Sequence, residues 1–157
     1  VALTRLRAVN ASDREFLIDL YASVREPELE LVPWDPGIKW AFVEHQFAAQ
    51  DRHYRTHYDG ATLDVVEVAG EPVGRLYVHR APSEIRIMDI ALLPEFRGRG
   101  IGERLLRSVL HEADDAAIPV SIHVERGNRA MSLYKRLGFF PVEERGPYVL
   151  MRRLPLS

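Results

Sequence analysis

The stretch DIALLPEFRGRGIGERLLRSVL, Asp89 to Leu110, decides the fold. An apolar run, Ile90-Ala91-Leu92-Leu93, stops at Pro94. Glycines then stand at alternate positions, Gly98, Gly100 and Gly102, with Arg97 before them and Arg99 among them. A helical pattern begins at once, with Ile101, Leu105, Leu106, Val109 and Leu110 recurring at steps of three and four. The segment therefore reads as strand, turn, helix. A helix start presents unpaired N–H groups and the positive end of its dipole, so it attracts anions. Glycine lets a ligand approach the backbone closely, and guanidinium groups add attraction to phosphate. The turn reads as a pyrophosphate cradle.

Two better-known phosphate motifs fail here. A P-loop ends in Gly-Lys-Ser/Thr, but Glu103 and Arg104 follow Gly102. A dinucleotide turn counted from Gly98 and Gly100 needs a third glycine where Glu103 stands. ATP hydrolysis and nicotinamide chemistry therefore lose ground. The plainer alternative is a glycine-rich turn with solvated arginines. Alternate glycines, arginines and the strand-to-helix setting together favour a ligand site.

Working outward, residues 3–9 read as a strand. A helix follows, capped by Asn10 or by a Ser12–Glu15 capping box, with Phe16, Leu17, Leu20 and Val24 at helical spacing. Residues 26–37 hold three prolines and a glycine and read as a loop. Residues 38–58 form a second helix with Trp40, Val43, Phe47, Tyr54 and Tyr58 on one stripe. Residues 61–93 are β-branched and broken by AGEP and APSE, so they read as a three-strand meander. Its last strand, about residues 84–92, runs into the glycine turn. A third helix spans 99–116, a fifth strand 119–124, and a fourth helix 129–140 with Gly138 as its stop. The last strand is 147–152. The order is β-α-α-β-β-β-α-β-α-β-β. This is a mixed α/β fold, with helices able to cover both faces of one sheet.

Bulk properties narrow the function. The 157 residues suggest a single domain, 1–157, with a real core. Hydrophobic and charged contents of 46% and 28% are ordinary for a globular protein. A net charge of −2 disfavours a dedicated nucleic-acid binder. The absence of cysteine excludes disulfides, thiolate catalysis and cysteine metal sites. No apolar run is long enough to span a membrane, and VALTRLRAVNASDREF carries no signal-peptide core. A cytoplasmic protein with no membrane partner is expected. The start at Val1 suggests that an initiator methionine is absent. His53 and His57 have metal-ligand spacing, but no intervening glutamate completes H-E-x-x-H and Arg52 and Arg55 crowd them. No metal is expected.

The turn resembles the signature of the GNAT N-acetyltransferase superfamily, Arg/Gln-x-x-Gly-x-Gly/Ala, here Arg97-Gly98-Arg99-Gly100-Ile101-Gly102. The lead-in DIALLPEF is also similar. So is NRAMSLYKRLGF, residues 128–139, with Ala130, Tyr134, Gly138 and Phe139 in register. The resemblance implies a GNAT-like, mostly antiparallel central sheet. It implies acetyl-CoA as co-substrate, lying where the fourth and fifth strands splay apart. Its pyrophosphate would sit on the backbone of Gly98 to Gly102, with Arg97 and Arg99 beside it. Its pantetheine arm would pair with free backbone of Ile90, Ala91 and Leu92. Ala130, Tyr134 and, more weakly, Asn128 would complete the cofactor wall. Two departures stand out. Many members carry glutamate as a general base where this chain has Arg86. Many carry asparagine where this chain has Gly127, one place before Asn128.

The expected reaction is acetyl transfer to a primary amine of a small molecule or peptide. Tyr134 is the candidate general acid for the leaving thiolate. The backbone N–H of Leu92 is the candidate oxyanion donor. Tyr134 also fits a plain core stripe with Ala130, Leu133 and Leu137. The base stays open among Asp89, His79, Glu125, His123 and a water chain. Asp89 shares parity with Ile85, Ile87 and Ala91, which favours a structural role. Trp34, Asp35, Arg86 and Tyr148 are candidate acceptor residues, although residues 28–37 also read as a solvated acidic loop anchored by Trp34. The alternatives are a catalytically silent acyl-CoA-binding module and an O-acyl or longer-chain acyltransferase. A homodimer through a sheet edge or the aromatic second helix is compatible with the sequence.

Overall fold

The computed structural model describes residues 3–156. Strand β1 (Thr4–Ala8) leads through a short turn into helix α1 (Arg14–Leu29), and helix α2 (Pro36–His57) follows. Strands β2 (Thr62–Val68), β3 (Glu71–Ala81) and β4 (Glu84–Leu92) form the meander. Then come α3 (Ile101–Ala116), β5 (Val120–Glu125), α4 (Met131–Arg136), β6 (Phe140–Arg145) and β7 (Tyr148–Arg153). The element order is the one expected. One seven-stranded sheet has the order β1-β2-β3-β4-β5-β7-β6. All neighbours are antiparallel except β4 and β5.

Several boundaries move. The capping box lies earlier than expected: Ser12 N–H donates to Asn10 Oδ1 at 2.9 Å, and Asn10 N–H donates to Asp13 Oδ2 at 2.8 Å. Helix α1 runs through Pro27 to Leu29, into the expected loop. Proline costs a hydrogen bond there. Burial offsets the cost, because Leu29 packs against Leu17, Ile18, Val43 and Phe47. Helix α2 starts at Pro36, with Asp35 as its N-cap accepting from Ile38 N–H at 3.0 Å. Trp40 is not core, at 43% exposed, whereas Val43 and Phe47 are buried.

The main core lies between one sheet face and helices α3 and α4. Ile85 and Ile87 meet Ile101, Leu105, Leu106, Val109 and Leu110 there. Helices α1 and α2 cover the other face, where Tyr54 meets Tyr77 edge-on at 5.9 Å.

A β-bulge in β4 corrects the parity of Asp89. Tyr77 pairs with Asp89 but Val78 pairs with Ile87, so Met88 is an extra residue. One extra residue reverses the facing of everything after it. Ile90 and Leu92 therefore pack against the core of Ile85 and Ile87. Asp89 turns to the opposite face and pairs with Arg75. Tyr54 of α2 donates its hydroxyl to the Met88 carbonyl at 3.2 Å, which holds the bulge from outside.

Candidate active site

The parallel pairing of β4 and β5 is short: Ile85 with Val120, Arg86 with Ser121, Ile87 with Ile122. Beyond these the strands diverge. A cleft of about 1310 Å³ opens between Met88–Leu92 and Ile122–Glu125. Leu93 N–H donates to Val73 O at 2.8 Å. Antiparallel alternation then turns the backbone groups of Ala91 toward β3 and those of Ile90 and Leu92 toward the cleft. The free backbone thus comes from two of the three residues expected. The Leu92 carbonyl is itself occupied, accepting from Arg97 Nε at 3.0 Å.

The turn before α3 forms one end of the cleft. Gly98 and Gly100 have φ of +73° and +81°, the left-handed region in which side chains are strained. Gly102 differs. A Cβ there would meet only Leu92 Cδ1, at 3.9 Å, so the fold itself does not demand glycine. The space left beside this helix start is suited to a close-lying ligand. Arg97 lines the cleft, its pKa lowered by burial and then by Arg129. Arg99 does not line it; its guanidinium lies 5.0 Å from the Phe96 ring centroid.

Helix α4 supplies the next wall. Asn128 Oδ1 accepts from Ala130 N–H at 2.8 Å, so this side chain organises the start of α4. Tyr134 is 5% exposed and packs edge-on to Phe139 at 5.9 Å. Burial, aided by the Asp89 carboxylate, pushes the Tyr134 pKa up to about 12.

The far end of the cleft is crowded with charge. Arg75, 4% exposed, pairs with Asp89 and donates to Gln50 Oε1 at 2.6 Å. Glu125 accepts from Arg25 of α1 at 2.5 Å. Arg86 donates to Ser121 Oγ at 2.6 Å, and its Nη1 lies 3.3 Å from both the Tyr58 hydroxyl and His123 Nδ1. Arg145 Nη1 lies 3.3 Å from His123 Nε2. Burial first, then Arg86 and Arg145, lower the His123 pKa, which disfavours the charged ring.

Residues 18–139 match the family described as the acetyltransferase (GNAT) family. The chain belongs to that family. It is 33% identical over 116 residues to the N-alpha-acetyltransferase RimI of Mycobacterium tuberculosis, covering 74% of this chain and 67% of that one. It is 34% identical over 111 residues to the mycothiol acetyltransferase of Thermobifida fusca, covering 64% of this chain but 30% of that protein. The PaiA N-acetyltransferase of Thermoplasma acidophilum, solved with coenzyme A, superimposes with a TM-score of 0.71 at 16% identity. It covers 97% of this chain and 99% of its own. The Escherichia coli ribosomal-protein-S18-alanine N-acetyltransferase gives 0.67 at 15% identity, covering 99% and 96%. These likenesses show a GNAT fold, and the enzyme class is acyltransferase.

In this GNAT chain the cleft brings together Ile90, Ala91, Leu92, Arg97, Gly98, Gly100, Ile101, Gly102, Asn128, Ala130 and Tyr134. Arg86 and Tyr148 line its other end. Trp34 and Asp35 lie elsewhere. Trp34 packs on Phe42 at 5.4 Å, and the Asp35 carboxylate is spent on capping α2. Among the base candidates, Asp89, His123 and Glu125 line the cleft. His79 instead faces the Tyr58 ring at 5.4 Å. Sequence reasoning missed Arg25. Its signal was the spacing Ile18, Ala22, Arg25, which places a cation on the buried stripe of α1. Among the described residues no group of three or more His, Asp or Glu is placed to hold a metal ion. No described helix is long and apolar enough to cross a membrane.

Proposed function

We propose that this chain is an acetyl-CoA-dependent N-acetyltransferase, a single domain acting in the cytoplasm. It moves an acetyl group from the CoA thioester to a primary amine of a small molecule or peptide by direct attack. One observation carries the reading: β4 and β5 part directly opposite the glycine turn that opens α3. Open strand backbone and a helix start thus face one cleft. The former suits the two amides of pantetheine, the latter a pyrophosphate.

The residues divide the work as follows. Backbone amides from Gly98 to Gly102, with Arg97, hold the phosphates. Ile90 and Leu92 hold the arm. The Leu92 N–H stabilises the negative charge that develops on the acetyl oxygen. Attack forms a C–N bond and breaks the C–S bond. The amine loses one proton and the thiolate gains one. A lysine-like amine, with a pKa near 10.4, must first be deprotonated. Asp89, Glu125 and His123 wall that end of the cleft, and each is engaged by an arginine. Proton removal therefore runs through water held by these groups. Tyr134 stands where the thiolate leaves. With its pKa near 12, full proton transfer to a thiolate of pKa about 8.5 is uphill. Tyr134 acts chiefly as a hydrogen-bond donor that stabilises the leaving sulfur.

Thermal unfolding with and without acetyl-CoA, followed by thiol release over a panel of amines, tests this. At about 100 times Kd, linkage gives roughly 2.7 kcal/mol. That is a shift of about 5–10 °C for a chain of this size. A shift with turnover is the expected result. A shift without turnover on any amine makes the chain a silent acyl-CoA-binding module, and no shift removes the transferase reading.

A further inference from the structure

The acceptor end of the cleft holds a largely buried cation whose ion pair is looser than those of the two most buried arginines. Arg75 and Arg153, with side chains 4% and 7% exposed, each grip a carboxylate, Asp89 and Asp114. Arg25 grips Glu125. Arg86 is also largely buried, at 17%, yet its hydrogen-bond partners are neutral: Ser121, the Tyr58 hydroxyl and His123. Its ion pair with Glu84 is long, at 3.6 Å, and is not a hydrogen bond. A second guanidinium, Arg145, converges on the other nitrogen of the same imidazole. Its own partner, Glu143, binds it from the exposed edge strand β6. A neutral imidazole has one lone pair, so it cannot satisfy both cations. Tyr58, Arg86, His123 and Arg145 all line the cleft.

We propose that Arg86, Arg145 and the Tyr58 hydroxyl form an anion subsite beside the acceptor amine, so that the acceptor is an amine that itself carries a carboxylate or phosphate. The chemistry is direct. Planar guanidinium forks match both anions, and a hydroxyl can add a third donor. Position supports it, because Arg86 lies on the strand that presents Ile90 and Leu92 and faces the same cleft. Incoming oxygens would replace weak contacts to a neutral ring with charge-assisted bonds, leaving Asp89 and Glu125 to face the amine. This substrate class rests on the acetyltransferase reading above.

The test has two arms. In the first, thiol release is compared across matched amines: an amino acid against its carboxamide, phosphoethanolamine against ethanolamine, and a peptide with acidic second residue against its amide. The anionic member of at least one pair is favoured about tenfold or more, since hydrogen bonds to charged groups are strong. The responsive pair identifies carboxylate or phosphate. That preference collapses toward unity in Arg86→Gln and in Arg145→Gln, the latter on an exposed edge with little risk to folding. In the second arm, acetate and inorganic phosphate are titrated while the His123 ring resonances are followed by NMR. A saturable shift, lost in Arg145→Gln, supports the subsite even where no amine is turned over, and then only the transferase reading fails. Turnover with no anionic preference, or no saturable His123 response to either anion, overturns the subsite and leaves the transferase reading standing.

Discussion

The Arg75 guanidinium and the Asp89 carboxylate meet across β3 and β4, beside the bulge that turns Asp89 out of the α3 core. Arg75 is 4% exposed and also lies over the Tyr77 ring, 4.7 Å from its centroid. The pair therefore neutralises a buried cation and fixes the facing of β4 where the cleft begins. Asp89→Asn leaves that cation without its counter-charge. The expected cost is about 3–5 kcal/mol in chemical denaturation, and Arg75→Met with Asp89→Leu recovers much of it. A single-variant loss below about 1 kcal/mol contradicts this account.

The glycines of the turn separate fold from ligand. Gly102→Ala meets no close atom and improves helix propensity by up to about 1 kcal/mol. Its unfolding temperature without ligand is expected to hold or rise, while the acetyl-CoA shift shrinks. Gly100→Asp combines a strained φ of +81° with a negative charge, and the shift should vanish. Equal acetyl-CoA shifts in Gly102→Ala and the parent would place the phosphates elsewhere.

Gly74 is a glycine for a different reason. A Cβ there would collide with the Ala91 carbonyl and the Leu92 side chain across the β3–β4 pair. Gly74→Ala must push β4 away and is expected to cost about 1–3 kcal/mol or more, with weakened acetyl-CoA binding. Urea unfolding and ligand titration measure both, and a neutral variant would show that the strand pair has slack.

Tyr134→Phe keeps the packing against Phe139 and removes only the hydroxyl. The expected result is a fall in kcat of about 10²-fold with little change in unfolding temperature. Because burial pushes the pKa up to about 12, the parent should show no alkaline loss of kcat from Tyr134 below about pH 11. A full-rate Tyr134→Phe enzyme would reduce this tyrosine to a core residue.

The Arg7–Asp13 pair sets an acid limit on stability. Two hydrogen bonds from Arg7, at 2.7 and 2.8 Å, hold the Asp13 carboxyl below its ordinary value of 3.8. The unfolded chain then takes up this proton first as pH falls. The contribution is complete above about pH 4–5 and drains as pH drops through the lower folded value. Asp13→Asn should flatten the acid limb of the urea midpoint below about pH 5. An unchanged slope would mean that other carboxylates carry the acid limb.

Local patterns were legible and reach far here. The order of elements follows from periodicity and turn residues. The glycine turn announces itself because its glycines, its arginines and the helix start are adjacent in the chain. Where reading failed, a distant contact had intervened. Helix α1 survives Pro27 because Leu29 finds α2, and Trp34 and Asp35 serve α2 rather than the cleft.

By itself, then, the sequence determined the chain of elements, the helix caps to within a few residues, and the glycine turn that opens α3. All of these depend on neighbours within a few positions. Only the tertiary structure decided that β4 gains a residue against β3, that β4 and β5 part after three pairs, and that Arg86, His123 and Arg145 converge from three strands. Strand register and splay are set by pairing partners far apart along the chain. A one-residue slip reverses every side chain that follows, and no local pattern records it.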